Sequence, residues 1–479
     1  MSTFVQLKKL VSESLWGFDP SRQVKPVHFA NSFFRSVCGQ KGDIDLIQKA
    51  AAGYRNGKGL SNVEFISDIR DRYIVEDDGG DIYRSTSNLR SALDLVLSQD
   101  KALFPNFNSS ITLTHFWHTS SDPSDNGTGE FLAQVLAESE HEEIIEVLRN
   151  CLNKKNDNIY LLTGPLLKEK ELGNYPIISE KVKLIIHNSP HLKSIQKAFS
   201  RLVKYENRLE KTVFLQRVVI LGCFTLFLHL INKKDGNGIS KGFAPIFITS
   251  ADPSIEVKEA SRSAFSRGRQ NIEASFEEGF QEQLRSRGQD NLTKEQYIDL
   301  MKSWLPNMNL QETGNKENTI WYRFIEDFEG NLFGTSDISE AFQKACVRAA
   351  FTIKESPESF CQFVGKNIGL VYPREGGRGE KYYSPGPQFL DTLVVALLEP
   401  DEEITIEEFW ERAWQEFGII CGAKSTTDTG RLGKWGIRQV TPKQLSQNAQ
   451  KLSSELIKMG YVREYADDIA MIRGGGISE

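Results

Sequence analysis

Three side chains that could bind a metal ion fall within the segment HFWHTSSD, where His115, His118 and Asp122 lie at offsets of zero, three and seven. Imidazole nitrogens and carboxylate oxygens are common zinc ligands, and a helix would place these offsets on one face. β-Branched residues precede the segment and loop-forming residues follow it, which favours an ordinary loop anchored by Trp117. A metal-dependent nuclease with a site near His115 and His118 is therefore the alternative interpretation.

Other catalytic patterns are absent from the sequence. The segments LLTGPLLKEKE and GGRGEK both lack the G-x-x-x-x-G-K-[ST] spacing of a phosphate-binding loop. The nucleophile pattern G-x-S-x-G does not occur. We therefore predict no catalytic residue, no metal and no cofactor, and we favour a non-enzymatic protein.

One basic stretch has the spacing of a single helical face, because its cations recur every three or four residues. Its members are Lys193, Lys197, Arg201, Lys204, Arg208 and Lys211. Such a positive stripe could lie along the phosphate backbone of DNA. It could equally dock an acidic partner, or the acidic helix predicted over residues 130–152 of the same chain.

A second basic stretch covers residues 422–444 and contains one acid, Asp428. Its cations are Lys424, Arg431, Lys434, Arg438 and Lys443. It leads into a predicted helix on which helical spacing predicts four exposed polar side chains: Gln444, Gln447, Asn448 and Lys451. In helix-turn-helix proteins, cations beside the recognition helix hold phosphates while side chains on that helix contact base edges.

The secondary-structure elements around this second stretch have the clearest sequence patterns in the chain. FLDTLVVALL and ITIEEFWERAWQEFGI predict two helices, and VTPKQLSQNAQKLSSELIKMG predicts a third. Thr441 is a suitable N-cap with Pro442 in the first turn, and Gly460 is a suitable C-cap. YVREYADDIAMIR predicts two strands that turn at residues 466–468. Three helices followed by a β-wing indicate a winged helix, a variant of the helix-turn-helix.

The rest of the chain also predicts helices, so the expected fold class is mainly α. The predicted division is an N-terminal helical domain at 1–110 and a second helical domain at 111–235 with the acidic, basic and apolar helices. A third helical domain at 243–371 opens with a short strand, and the winged-helix domain occupies 388–479. A length of 479 residues suits three or four domains.

Composition excludes several classes of protein. Hydrophobic residues make up 39% and charged residues 25%, which is typical of a globular chain rather than a disordered or fibrous one. Against 58 Lys and Arg stand 64 Asp and Glu, so a globally basic nucleic-acid binder is excluded, while locally basic faces are not. The six cysteines form no C-x-x-C pair, which predicts buried reduced thiols.

One segment, residues 213–231, is apolar enough to raise the question of a membrane. Its uncharged part, residues 218–231, is shorter than the roughly 20 residues that a bilayer span requires. A helix buried on all sides is the better prediction, with His229 as a hydrogen-bonded core histidine. The N-terminal segment resembles an amphipathic helix rather than a secretory signal, so we expect a cytoplasmic protein without membrane contact.

The run from Ile368 to Ile472 resembles the winged-helix-containing end of accessory proteins in multi-gene bacterial anti-phage defence operons. It includes IGLVYPREGGRGEKYYSPGPQFLDTLVVALLEP and FWERAWQEFGIICG. The resemblance implies a subunit that works beside other proteins, often a motor ATPase. It covers about the last quarter of the chain and carries over no functional residue.

Together these observations predict a non-enzymatic DNA-associating or scaffolding subunit of a bacterial multi-protein complex. Its expected partners are DNA and other protein subunits, a motor ATPase or a nuclease among them. A pure protein-interaction adaptor is the other alternative, because many winged helices bind only proteins.

Overall fold

The computed structural model describes most of the chain outside residues 40–112. The described residues are 3–21, 24–39, 113–119, 125–163, 171–232, 243–309, 315–334, 337–352, 356–374, 380–465 and 470–476. Most of the predicted domain at 1–110, together with Asp122 and the predicted turn at 466–468, lies outside them.

The described chain is mainly helical, as predicted, and forms two compact units. The larger unit comes from Met1–Val24, Glu180–Ala198 and Cys223–Glu479, and the smaller from Lys25–Ser179 and Phe199–Gly222. Strand β1 (Ile246–Phe247), from the predicted third domain, pairs in parallel with β5 (Ile419–Ile420), from the predicted fourth. Both strands therefore lie in the larger unit.

Among the described residues, eight α-helices precede residue 232, and some of them lie in the smaller unit. They are α1 (Thr3–Trp16), α2 (Pro26–Val37), α3 (Thr128–Ala137), α4 (Glu143–Asn153), α5 (Asn158–Thr163), α6 (Glu180–His187), α7 (Pro190–Val203) and α8 (Lys211–Ile231). The predicted single helix over 130–152 is wrong, because the chain breaks into α3 and α4. At the break the Ser139 hydroxyl accepts a hydrogen bond from the backbone N–H of His141, and such local bonds compete with helix formation.

Helix α8 confirms the prediction of a buried apolar helix. Of the described residues, it is the one helix long and apolar enough to cross a membrane, and 94% of its most apolar window is buried inside the protein. His229, on α8, lies 2.9 Å from His191 between their ring nitrogens, so it is a hydrogen-bonded core histidine as predicted. All six cysteines are buried and reduced, which also confirms the prediction.

The remaining helices belong to the larger unit. They are α9 (Ile255–Ser286), α10 (Lys294–Trp304), α11 (Lys316–Leu332), α12 (Ile338–Thr352), α13 (Pro357–Asn367), α14 (Pro387–Leu397), α15 (Ile406–Phe417), α16 (Ser425–Lys434) and α17 (Pro442–Lys458). The 32-residue α9 packs against α1, α12 and β1. Its buried apolar side chains, such as Phe265, Phe276 and Phe280, form the centre of this unit.

The strands are short. An antiparallel pair is formed by β2 (Val371–Tyr372) and β3 (Tyr382–Tyr383). A three-stranded antiparallel sheet has the order β4–β7–β6, from Glu403–Thr405, Ala470–Arg473 and Val462–Glu464. The two strands predicted at the C-terminal end are therefore present, and β4, which directly precedes α15, joins them.

Local capping explains where α15 and α17 begin. Thr405 and Glu408 form a capping box at the start of α15, and Thr441 and Gln444 form another at the start of α17. Each threonine hydroxyl accepts from the backbone N–H three residues on, while the Glu or Gln side chain accepts from the threonine N–H. The C-cap of α17 is Met459 rather than the predicted Gly460, which follows it and adopts φ +78°.

Candidate nucleic-acid interface

Helix α17 separates its side chains into two faces. Its inner face packs into the core of the larger unit through Leu445, Ala449, Leu452 and Leu456, all of which are buried. The residues on its opposite face are exposed or nearly so. This division makes the outer face of α17 a surface that a ligand can approach.

The outer face of α17 is polar and basic. Its exposed side chains are Lys443, Ser446, Gln447, Gln450, Lys451, Ser454 and Lys458. Lys443 and Lys458 lie 15 residues apart, about 22 Å along the helix axis at about 1.5 Å per residue. The helix has one acid, Glu455, which is half-buried and accepts a hydrogen bond from the backbone N–H of Ala251 at 3.3 Å. The outward face therefore carries no exposed carboxylate.

The prediction that Asn448 is exposed is wrong. Asn448 is 3% exposed and its amide bridges three backbone groups. Its Oδ1 accepts from the Ser250 N–H at 2.9 Å, and its Nδ2 donates to the carbonyls of Ile248 at 2.9 Å and Cys421 at 2.8 Å. All of its hydrogen-bonding groups are thus engaged inside the protein, so Asn448 has a structural role.

Gln444, Gln447 and Lys451, the other three residues of α17 predicted to contact DNA, differ in how accessible their side chains are to a ligand. Gln444 is half-buried and caps the helix through Thr441. Lys451 is exposed, but its Nζ donates to the carbonyl of Asp252 at 2.6 Å. Gln447 is exposed, as predicted. Of the four, Gln447 is therefore the one that keeps an accessible side chain without an internal contact in the described structure.

Two of the predicted cations are neutralised within the protein. Lys424 and Arg431 both form ion pairs with Glu411 of α15, at 3.2 Å and 2.7 Å. Arg431 also pairs with Asp428 at 2.9 Å, and its guanidinium lies 4.8 Å from the ring centre of Trp414. The ammonium and guanidinium groups hold the pKa of Glu411 below its usual range, although its partial burial acts in the opposite direction.

The remaining cations of this stretch are exposed. Lys434, Arg438 and Lys443 form no ion pair with any acid in the described part of the chain, and neither does Lys458. Helix α9 holds the turn that presents them, since Arg267 Nε donates to the Trp435 carbonyl at 3.0 Å. Nearby, Gln439 Nε2 donates to the Ser263 hydroxyl at 3.2 Å.

Charge is segregated along this part of the sequence, a pattern that motifs and helical spacing alone do not reveal. Residues 399–417 contain eight acids and one arginine, whereas residues 418–463 contain eight cations and two acids. The boundary falls between α15 and α16. A running count of charge in windows of about two helices' length would have revealed it.

The structure does not give the first basic stretch one continuous helical face. Helix α7 ends at Val203, so Lys204 and Arg208 lie in a turn in which Tyr205 is buried. Lys211 begins α8 and pairs with Asp157 at 2.9 Å. Lys193 and Lys197 are exposed on α7, while Arg201 is half-buried. The predicted single face from 193 to 211 is therefore wrong, because the helix ends before half of its cations.

His115 directly precedes the 3-10 turn Phe116–His118, which His118 ends, and both side chains cap this turn. His115 Nδ1 accepts from the Trp117 N–H at 3.1 Å, and His118 Nδ1 accepts from the His115 N–H at 3.3 Å. Burial lowers the pKa of His115 to about 3. Among the described residues, no group of three His, Cys, Asp or Glu side chains could hold a metal ion.

No model of a known protein family matches this chain, and a search of curated proteins finds no match. The function must therefore be argued from the chemistry of the site itself.

Proposed function

We propose that this protein is a non-enzymatic subunit that associates with DNA through the outer face of α17 and the turn before it. The observation that carries the proposal is an outward face of α17 without exposed acids, combined with four exposed cations that pair with no acid among the described residues. Those cations are Lys434, Arg438, Lys443 and Lys458. Cations placed in this way neutralise backbone phosphates and release condensed counterions, which drives binding of any DNA sequence.

The order of elements supports a winged-helix interpretation. Helix α14, strand β4, helix α15, strand β5, helices α16 and α17, and strands β6 and β7 follow one another along the chain. Strand β4 pairs with β7, which gives the sheet order β4–β7–β6. In a winged helix this order places the last helix before the wing as the recognition helix, and here that helix is α17. Helix α16 is an additional helix.

The exposed side chains between Lys443 and Lys458 are of a type that can contact base edges in a DNA groove. Gln447 and Gln450 are exposed between Lys443 and Lys458 on the same face. Glutamine amides can donate to and accept from base edges in the major groove, whereas lysines at the two ends of the helix would contact phosphates. In this arrangement the cations provide affinity and the two glutamines provide any preference for sequence.

The setting that we propose is a bacterial multi-protein complex in the cytoplasm. The resemblance of residues 368–472 to accessory subunits of anti-phage defence operons supports a defence role and partner subunits such as a motor ATPase or a nuclease. Lys193 and Lys197 on α7 are a second proposed contact, either with DNA or with an acidic partner. The double variant Lys193→Gln with Lys197→Gln tests that contact separately.

The salt dependence of binding tests the proposal. Full-length protein is titrated against a fluorescein-labelled DNA duplex, with anisotropy as the readout, at salt concentrations from about 50 to about 200 mM. Four phosphate contacts predict a log–log slope of about −3.6, since each contact contributes about −0.9. Absence of binding at the lowest salt, or binding without a salt slope, would overturn the proposal. Capture of protein partners without DNA would then favour the adaptor.

A further inference from the structure

The carboxylate of Glu411 is held by two cations at once. Its Oε2 lies 3.2 Å from Lys424 Nζ, and its Oε1 lies 2.7 Å from Arg431 Nη2. The guanidinium of Arg431 also lies over the ring of Trp414. One anion therefore receives a lysine on one oxygen and an arginine on the other, with an aromatic ring to fix the arginine.

This is also how proteins hold a phosphate group. Arginine and lysine are the common phosphate ligands, arginine as a planar donor and lysine as a point charge. The side chain of Lys424 is 42% exposed, whereas that of Glu411 is 19% exposed and its Oε2 atom is buried, so Lys424 is the accessible member of the pair. The next cation along the chain is Lys434, three residues after Arg431 and thus on the same side of α16, and it is exposed.

We propose that Lys424 and Arg431 form a phosphate-binding subsite that Glu411 occupies in the absence of DNA, so that Glu411 and a backbone phosphate compete for the same cations. This inference rests on the proposed function and extends it, because it adds a subsite that only opens when Glu411 is displaced. Asp428 keeps its own ion pair with Arg431 at 2.9 Å. Lys424 is therefore the cation that displacement releases completely.

The substitution Glu411→Gln tests the subsite, because it removes the competing charge and keeps the shape of the side chain. We expect the variant to bind duplex DNA about tenfold more tightly at about 50 mM salt, which is the counterion-release gain of one further phosphate contact. The log–log salt slope should steepen by about 0.9 for the same reason. Both quantities come from anisotropy titrations of the full chain.

The matched control is Glu407→Gln, which removes one exposed carboxylate from the same helix, α15, without touching a cation. Screening should limit its effect on affinity to about twofold. Lys424→Gln supplies the second comparison. In the wild-type background we expect about a twofold change at most, since Glu411 already neutralises this lysine. In the Glu411→Gln background it should remove the entire gain.

The outcomes separate the two proposals. If the wild-type chain does not bind DNA, the proposed function fails and the inference with it. If the wild type binds but Glu411→Gln and Glu407→Gln behave alike, the inference alone is overturned. Weaker binding by Glu411→Gln at an unchanged melting temperature also overturns it, because the ion pairs would then be needed to present the surface.

Discussion

Replacing Asn448 by alanine should lower the free energy of unfolding by about 3–5 kcal/mol, the largest single loss that we expect in the larger unit. The substitution leaves the Ser250 N–H and the carbonyls of Ile248 and Cys421 buried without their partner. Each unsatisfied buried polar group costs about 1–3 kcal/mol. Urea denaturation monitored by circular dichroism and tryptophan fluorescence measures the change.

A nearby variant serves as the control for Asn448→Ala. Gln450 lies two residues away on α17 but is exposed, so Gln450→Ala should change stability by no more than about 0.5 kcal/mol. Because Asn448 links the segment at 248–250 to Cys421, its loss should also weaken DNA binding through the fold. A loss below about 1 kcal/mol for Asn448→Ala would show that the amide does not carry these contacts.

Arg149→Ala is expected to have a comparable effect on the smaller unit, again about 3–5 kcal/mol, because hydrogen bonds to a charged group contribute about 1.5–3 kcal/mol each. Arg149 is 8% exposed. Its Nη1 donates to the carbonyls of Val37 at 2.8 Å and Asn174 at 3.4 Å, and its Nη2 donates to that of Gly173 at 2.6 Å. Its guanidinium also lies 4.5 Å from the ring centre of Tyr175. One side chain thus satisfies three carbonyls and packs on an aromatic ring.

The backbone segments that Arg149 joins lie very close together. Gly39 and Gly173 approach so closely that a Cβ on Gly39 would lie 2.1 Å from the Asn174 carbonyl oxygen. The guanidinium spans this crossing with a planar fork that lysine lacks, so Arg149→Lys should still lose about 2 kcal/mol. The control Glu146→Ala, on the exposed face of α4, should change stability by no more than about 0.5 kcal/mol. Equal stability of Arg149→Ala and Glu146→Ala would contradict this account.

Local patterns in the sequence predicted three of the four helices of the C-terminal region and missed α16. Thr441 and Pro442 marked the start of α17, and the apolar spacing of α15 identified Phe409, Trp410, Ala413 and Phe417, all of which are buried. These features depend on residues within one or two turns of each other. Trp414, predicted on the same inner face, is half-buried and instead supports Arg431.

The roles of individual polar residues could not be predicted in the same way, because they depend on distant parts of the chain. Asn448 has the helical spacing of a surface residue, yet its partners at Ile248 and Ser250 lie about 200 positions earlier. Lys424 and Arg431 are predicted from the sequence to be free cations, whereas in the structure both pair with Glu411. Helix α7 likewise ends at Val203 although no glycine or proline follows in the turn at residues 204–210, where Tyr205 is buried.

The most direct test of the central claim compares the salt slope of DNA binding between two charge-neutralised variants of the full chain. The first replaces the four exposed cations of the proposed interface by glutamine: Lys434, Arg438, Lys443 and Lys458. The second replaces Arg285 and Arg287, which are exposed at the end of α9. Anisotropy titrations with the same duplex measure both.

The account predicts that the first variant loses at least about a hundredfold in affinity at about 50 mM salt and that its log–log slope approaches zero. The α9 variant should stay within about threefold of the wild type and keep its slope, because screening limits the effect of distant charges. If the slope of the first variant equals that of the wild type, or if both variants lose the same affinity per charge removed, then the outer face of α17 is not where the protein binds DNA.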